Sequence, residues 1–306
     1  MRIIFMGTPD FAVASLRALL DSGEDIVAVV TTPDKPAGRG QKIHQSAVKI
    51  FAEANNLPIL QPEKLKSTEF IDMLRAFRAD LQVVVAFRML PEVVWNMPRL
   101  GTINVHASLL PQYRGAAPIN HAIINGEKES GVTTFLLQHE IDTGNILLSE
   151  RVAIDEKDNA GLLHDKLMRV GAGILIKTIE KLKSNTLRPI PQKDIAESRL
   201  KHAPKIFKED CLINWNSDIQ TIYNKIRGLS PYPTAFTYLD KKVLKIYEAE
   251  KEEISHEFQP GTYETDGKLY LKFYANNGSL SVKHLQIEGK KKMSIEEFLR
   301  GYHFEN

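Results

Sequence analysis

An asparagine, a histidine and an aspartate carry the chemistry this sequence offers. Asn104 and His106 stand two residues apart in Thr102–His106, an alternating run entered from the turn Pro98-Arg99-Leu100-Gly101. In a strand, residues two apart share a face, so Asn104 and His106 point one way while Ile103 and Val105 point the other. A side-chain amide donates to an oxygen that gains negative charge, and an imidazole donates or shuttles a proton. The pair therefore suits attack on an acyl-type carbon. Asp142, in Ile141-Asp142-Thr143-Gly144, is the carboxylate that would orient the imidazole. Each residue alone also has a plainer reading: Asn104 closes a strand edge, His106 is a hydrogen-bonded core histidine, and Asp142 caps a turn.

These residues need a scaffold that brings them to one edge. Pro111 and Gly115 break the chain into a loop just after His106, and the carboxyl ends of strands are where open α/β sheets hold ligands. Upstream, the β-rich runs Ile3–Met6, Ile26–Val30 and Leu81–Phe87 alternate with amphipathic stretches at Phe11–Leu20 and Ala47–Ala54. That alternation predicts an α/β domain of βα units on a largely parallel sheet. Gly7-Thr8-Pro9-Asp10 lacks the G-x-G-x-x-G spacing of a dinucleotide site and reads as a tight strand-to-helix turn. Ile146–Ala153 adds a strand, and apolar spacing at Leu163, Leu167, Val170 and Ile174 predicts a long helix over Ala160–Leu182. Pro189, Pro191 and Pro204 mark the next stretch as a linker, which gives a first domain at 1–188, a linker at 189–205 and a second domain at 206–306. The second domain has short strands at Phe236–Leu239, Val243–Tyr247, Leu269–Tyr274 and Ser279–Ile287, with Asn277-Gly278 as a hairpin turn. With helices over Ser217–Arg227 and Ser294–Arg300, this predicts a small barrel of the oligonucleotide-binding type.

The 306 residues suffice for two domains with real cores. A net charge of +2 means that a nucleic-acid partner would be held by local basic patches rather than bulk charge. Three patches stand out: Asp34–Gln45 with Lys35, Arg39 and Lys42 among Gly38 and Gly40, then Lys241-Lys242, then Lys290-Lys291-Lys292. Solvated charged surface accounts for the same residues. The single cysteine, Cys211, excludes an intramolecular disulfide, fits a reducing compartment and reads as a small buried hydrophobe. No apolar run approaches the ~20 residues that cross a bilayer, and Asp10 interrupts any signal-like stretch, so a cytoplasmic protein without a membrane partner is expected. No C-x-x-C occurs and His139-Glu140 lacks the second histidine of a zincin, so no metal is expected.

Taken together, Asn104-Val105-His106, then Ser108-Leu109-Leu110-Pro111 and Arg114-Gly115, then Asp142-Thr143-Gly144, form a pattern that resembles the active site of the 10-formyltetrahydrofolate-dependent formyltransferases. The resemblance extends through Met1–Phe11, Pro33–Gly40, Ala203–Ile206 and Gly289–Met293, nearly end to end. It implies a Rossmann-like catalytic domain followed by a smaller OB-like β-barrel domain. It also implies that 10-formyltetrahydrofolate, a reduced folate, donates a formyl group to the free amine of methionine on initiator methionyl-tRNA, for translation initiation. Under that resemblance Asn104 and His106 stabilise a tetrahedral oxyanion, Asp142 holds His106 and helps move the amine proton, and His106 passes a proton to the departing folate nitrogen. Ser108, Leu109, Leu110 and Pro111 line the folate site, with plain core packing as the competing reading for the two leucines. Lys35, Arg39 and Lys42 belong to a loop that inserts against the acceptor stem, and Lys290, Lys291 and Lys292 touch the tRNA backbone. Phe87-Arg88-Met89-Leu90-Pro91 departs from the family's commoner small or aromatic-glycine pattern. A monomer is expected. Family members that act on a small amine, such as a ribonucleotide or a nucleotide-linked sugar, remain the alternative. A nicotinamide dehydrogenase lacks its fingerprint here, and a binding module without activity leaves Asn104, His106 and Asp142 unexplained.

Overall fold

The computed structural model describes residues 1–37, 42–192 and 199–304. In chain order the elements are β1 (Arg2–Gly7), α1 (Asp10–Asp21), β2 (Asp25–Val30), β3 (Lys35–Ala37), β4 (Lys42–His44), α2 (Ala47–Ala54), β5 (Ile59–Leu60), α3 (Thr68–Ala76), β6 (Leu81–Val85), α4 (Glu92–Trp95), β7 (Thr102–His106), β8 (Arg114–Gly115), α5 (Pro118–Ile124), β9 (Glu129–Leu136) and β10 (Ile146–Ala153). They continue with α6 (Ala160–Lys183), β11 (His202–Ala203), α7 (Ile219–Leu229), β12 (Ala235–Leu239), β13 (Lys242–Glu253), β14 (Tyr263–Thr265), β15 (Leu271–Ala275), β16 (Gly278–Ile287), β17 (Met293–Ser294) and α8 (Ile295–Gly301). Two compact units result: Met1–Gly115 with Ser130–Val152 and His164–His202, and Ala116–Glu129 with Ala153–Leu163 and Ala203–Asn306.

The first unit is built on a sheet of order β10-β9-β7-β6-β1-β2-β5. From β7 to β5 all neighbours are parallel, while β9 runs antiparallel to β7. This is a Rossmann-like arrangement. Strands covered on both faces read as continuous apolar runs, and Ile3, Ile4, Phe5 and Met6 are all fully buried. Ile4, Met6 and Val84 pack with Phe70, Leu74 and Val94 of α3 and α4. Gly7 closes the strand-to-helix turn as expected: a Cβ there would lie 2.6 Å from that of Ala12. The chain builds outward from β1 through β2, then returns to the other side of β1 with β6. Such a reversal opens a crevice at the carboxyl ends of the strands, and that is the end at which β7 delivers His106.

The second unit is an antiparallel half-barrel of order β12-β13-β16-β15-β14, with β17 added to β16. Irregular pairing between Ile246 and Ala249 lets the long strand β13 bend, as bulges do. Its core gathers Trp215, Ile219, Ile222 and Ile226 with Phe273, Leu280, Leu285 and Phe298. The hairpin turn falls one residue earlier than the sequence suggested, at Asn276-Asn277, because Gly278 already pairs with Ala275. Gly278 is needed in the strand itself, since a Cβ there would meet the Glu252 carbonyl oxygen at 2.4 Å. Among the described residues no helix is long and apolar enough to cross a membrane.

Candidate active site

Strand β7 sets the first two side chains. In register, Asn104 lies opposite Val84 of β6 and Phe135 of β9. Its amide is half-buried and makes no hydrogen bond among the described residues. His106 ends the strand and is 8% exposed. Its Nε2 lies 2.9 Å from the Tyr113 carbonyl oxygen. A carbonyl only accepts, so Nε2 carries the proton and Nδ1 is the nitrogen that faces Asp142. The distance from Nδ1 to Asp142 Oδ2 is 3.8 Å, beyond direct hydrogen-bond reach. The ring is thus held by Tyr113 and by the edge-on Phe135 ring, and the carboxylate is held separately, accepting from the Gly115 N–H at 3.0 Å. All three predicted catalytic residues therefore sit in one unit, Asn104 and His106 on one face of β7, with Asp142 beside His106.

Two non-glycine residues of this site, Tyr113 (φ 60°) and Asp142 (φ 55°), adopt left-handed backbone, which costs roughly 1–3 kcal/mol each. A network offsets that cost. Gln192 donates from Nε2 to the carbonyls of Asp142 (2.9 Å) and Gly144 (2.7 Å), and its Oε1 accepts from Arg114 at 2.9 Å. Gln112 joins the same segment, accepting from the Lys201 N–H and donating to the Arg199 carbonyl. Gly144 is fixed by contact, because a Cβ there would fall 1.6 Å from the Leu136 carbonyl oxygen.

The residues expected to line the folate site form the first turn of this loop. Thr133 Oγ1 donates to the Ser108 carbonyl at 2.7 Å and accepts from the Leu110 N–H at 3.1 Å. Ser108 Oγ donates to the Gln112 carbonyl at 2.7 Å. Ser108 and Leu110 are buried, Leu109 and Pro111 half-buried, and Leu109 packs so tightly on Gly131 that a Cβ there would approach its Cδ2 to 2.4 Å. Leu110, 7% exposed, belongs to the core, while Leu109 and Pro111 keep part of their surface open.

Of the basic residues, Lys35 is exposed on β3 and pairs in register with His44. Lys42 opens β4, and Arg39 lies outside the described residues. The segment starts from a fixed point: Asp34 is bound by Lys49 and by Gln61, which also donates to the Thr32 carbonyl. The Lys49 ammonium, then the Gln61 amide, hold the Asp34 carboxyl below its ordinary range. In the second unit, Lys290, Lys291 and Lys292 are exposed, and Lys292 Nζ lies 4.8 Å from the centre of the Tyr247 ring.

Sequence reasoning did not find Gln192 or Thr133. Gln192 lies 50 residues from Asp142 in a proline-marked stretch read as linker, and no local pattern announces a partner so far away. Among the described residues, no three His, Cys, Asp or Glu side chains are grouped to hold a metal ion.

Comparison with known proteins places this geometry in a family. A formyl transferase model matches residues 1–179, and a formyl transferase C-terminal domain model matches residues 205–303. Methionyl-tRNA formyltransferase of Bacteroides thetaiotaomicron is 55% identical over 308 residues, covering 99% of this chain and 96% of that protein. The Parabacteroides distasonis protein of the same name is 54% identical over 312 residues, with coverages of 99% and 96%. In fold, the chain is similar to HypX from Aquifex aeolicus in complex with tetrahydrofolic acid, at a TM-score of 0.67 and 18% identity. That match covers 100% of this chain and 48% of HypX, so the chain spans about half of HypX's length. With both halves matched by formyl transferase models and full-length relatives more than half identical, the chain belongs to the methionyl-tRNA formyltransferase family.

Proposed function

We propose that this chain transfers the formyl group of 10-formyltetrahydrofolate to the free amino group of methionine on initiator methionyl-tRNA, a reading supported by relatives named methionyl-tRNA formyltransferase. The observation that carries the residue assignment is Asn104: a half-buried amide with no hydrogen bond among the described residues, on the same strand face as His106 and at the ligand end of a parallel sheet. The donor set fits a formyl group, offering one unengaged amide to its oxygen, an imidazole and a carboxylate.

In the reaction a bond forms between the methionine nitrogen and the formyl carbon, and the bond from that carbon to folate N10 breaks. Asn104 donates to the oxygen as it gains charge, and fixed donors of this kind contribute on the order of 100-fold or more in rate. Asp142, anchored by Gly115, takes the proton that the amine sheds, directly or through a water in the gap beside His106 Nδ1. His106, its Nε2 fixed by Tyr113, takes that proton at Nδ1 from Asp142 through the same gap and passes it to N10 as it leaves, which returns both groups to their starting state. The backbone of Ser108–Pro111 supports the pterin. Lys35, Arg39, Lys42 and Lys290–Lys292 meet tRNA phosphates, with residues 206–306 as the tRNA-binding region and 1–188 as the catalytic one. A cytoplasmic monomer suits this role, and the single, buried Cys211 suits a reducing compartment.

The test is acceptor choice. Purified protein and 10-formyltetrahydrofolate are given charged initiator tRNA, an aminoribonucleotide or a nucleotide-linked amino sugar in parallel. Formylmethionyl-tRNA as the main product is the expected result, and turnover only with a small amine would overturn it.

A further inference from the structure

The segment Phe87-Arg88-Met89-Leu90-Pro91, where the sequence departs from the family's commoner pattern, follows directly on β6. The last residues of that strand run beside the catalytic strand, Val84 opposite Asn104 and Val85 opposite Val105. At Ala86 the backbone turns left-handed, φ 47°. Two residues on, the Arg88 guanidinium reaches back across the sheet edge. One terminal nitrogen donates to the Glu63 carbonyl at 3.0 Å and the other to the Pro62 carbonyl. Its Nε is buried and has no hydrogen-bond partner among the described residues, and loss of water pulls the group below the ordinary arginine pKa. A half-buried cation with a donor left over is a poor device for stability alone, whereas its planar fork is well suited to fixing two acceptors at once.

The acceptors lead further. Gln61, next to Pro62, donates at 2.8 Å both to the Thr32 carbonyl and to Asp34, which Lys49 also binds. Asp34 directly precedes Lys35, the start of the basic segment.

We propose that Arg88 is a positioning residue: it clasps the loop after β6 to Pro62–Glu63 and, through Gln61 and Asp34, holds the start of the basic segment in one hydrogen-bonded chain along the carboxyl edge of the sheet. One end of the chain borders the place of the formyl donor beside Asn104, and the other faces the tRNA. The inference rests on the proposed function for what lies at each end. It gives this chain a means of setting donor and acceptor relative to each other through residues that touch neither reacting atom.

The experiment measures formyl transfer by the full chain with each substrate varied in turn. Arg88→Met, which keeps the length of the side chain and removes the fork, is expected to raise KM for 10-formyltetrahydrofolate about ten-fold while kcat changes much less, in line with the loss of paired charge-assisted bonds. Arg88→Lys keeps the charge but cannot bridge two carbonyls, so it should resemble Arg88→Met rather than the wild type. Gln61→Leu should raise KM for methionyl-tRNA more than KM for the folate. A merely structural arginine would instead lower the active fraction and leave both KM values unmoved. If Arg88→Met does not fold, Arg88→Lys carries the test. Wild-type KM for both substrates in the Arg88 variants would overturn the inference. Absence of any formylmethionyl-tRNA from the wild type would defeat the proposed function instead. In that event, fluorescence titration with a 5-formyl folate still tests the clasp: about ten-fold weaker binding by Arg88→Met supports it, and equal binding overturns it.

Discussion

Replacing Asn104 by alanine should separate catalysis from stability more cleanly than any other change in this protein. The amide makes no hydrogen bond among the described residues, so its removal breaks none; an internal bond would have contributed about 0.5–1.5 kcal/mol. The side chain is only half-buried, and changes away from core and caps shift stability by roughly ±0.5 kcal/mol. Against that small effect stands the loss of one donor to the formyl oxygen, about 10²–10³-fold in kcat or roughly 2.7–4 kcal/mol of transition-state stabilisation. The assay is rapid-quench single turnover of saturated enzyme with charged initiator tRNA and 10-formyltetrahydrofolate, beside thermal melting of the same samples. Asn104→Ala is expected to lose at least 100-fold in rate with an unchanged melting curve. Asn104→Asp, which places an acceptor where a donor is needed, should be no better. His106→Ala offers the contrast: it removes the ring that donates to the Tyr113 carbonyl, so rate and stability should fall together. A turnover rate within three-fold of wild type for Asn104→Ala would refute the role given to this residue.

Gln192→Ala removes the donor to the Asp142 and Gly144 carbonyls and the acceptor for Arg114; hydrogen exchange should rise at residues 142–145, and kcat should fall more than KM rises. The Glu264 carboxylate, which accepts from the Tyr274 hydroxyl, pushes the Tyr274 pKa up to about 12 from 10.0. A pKa raised on folding contributes stability that is complete below pH 10 and fades as pH climbs toward 12, so melting temperature should drop across that window and Tyr274→Phe should flatten the drop. Replacing Lys290, Lys291 and Lys292 together by alanine should flatten the salt dependence of tRNA affinity, since each phosphate contact adds to that slope. Arg39→Ala should impair use of the tRNA far more than folate binding, and equal loss of both would argue against its place in the tRNA contact.

Much of this architecture was legible because the burial of each element is periodic and local. Strand β7 could be read from its alternation, β1 and β2 from unbroken apolar runs, and α6 from helical spacing that the structure continues to Lys183. Strand β13 was read only as Val243–Tyr247, since its second half, Glu248-Ala249-Glu250-Lys251-Glu252-Glu253, is too charged to announce a strand and is held by pairing with β16. Strand β6 was read two residues too long because nothing in Ala86-Phe87 signals that Ala86 turns left-handed. Strand β9 was not read at all: Ser130, Thr133 and Thr134 are buried there, and Thr133 and Thr134 hydrogen-bond to residues distant in sequence, which no periodicity encodes. The candidate site divides in the same way. Asn104 and His106 could be paired because their types suit one chemistry at a spacing that strand geometry interprets, whereas Asp142, which lies outside any strand, was joined to them by its type and by the family resemblance. Tyr113 holds the His106 ring and Gln192 holds Asp142 and Gly144 through backbone carbonyls, and a carbonyl leaves no mark on the sequence.

The most direct measurement is a crystal structure of the chain with 5-formyltetrahydrofolate bound. The expected result places the formyl oxygen within about 3.2 Å of the Asn104 amide nitrogen, with the formyl carbon facing the gap between His106 Nδ1 and Asp142. A folate that binds with its formyl group turned away, leaving the Asn104 amide without a partner, would contradict the assignment of this strand edge as the place where the formyl group is transferred.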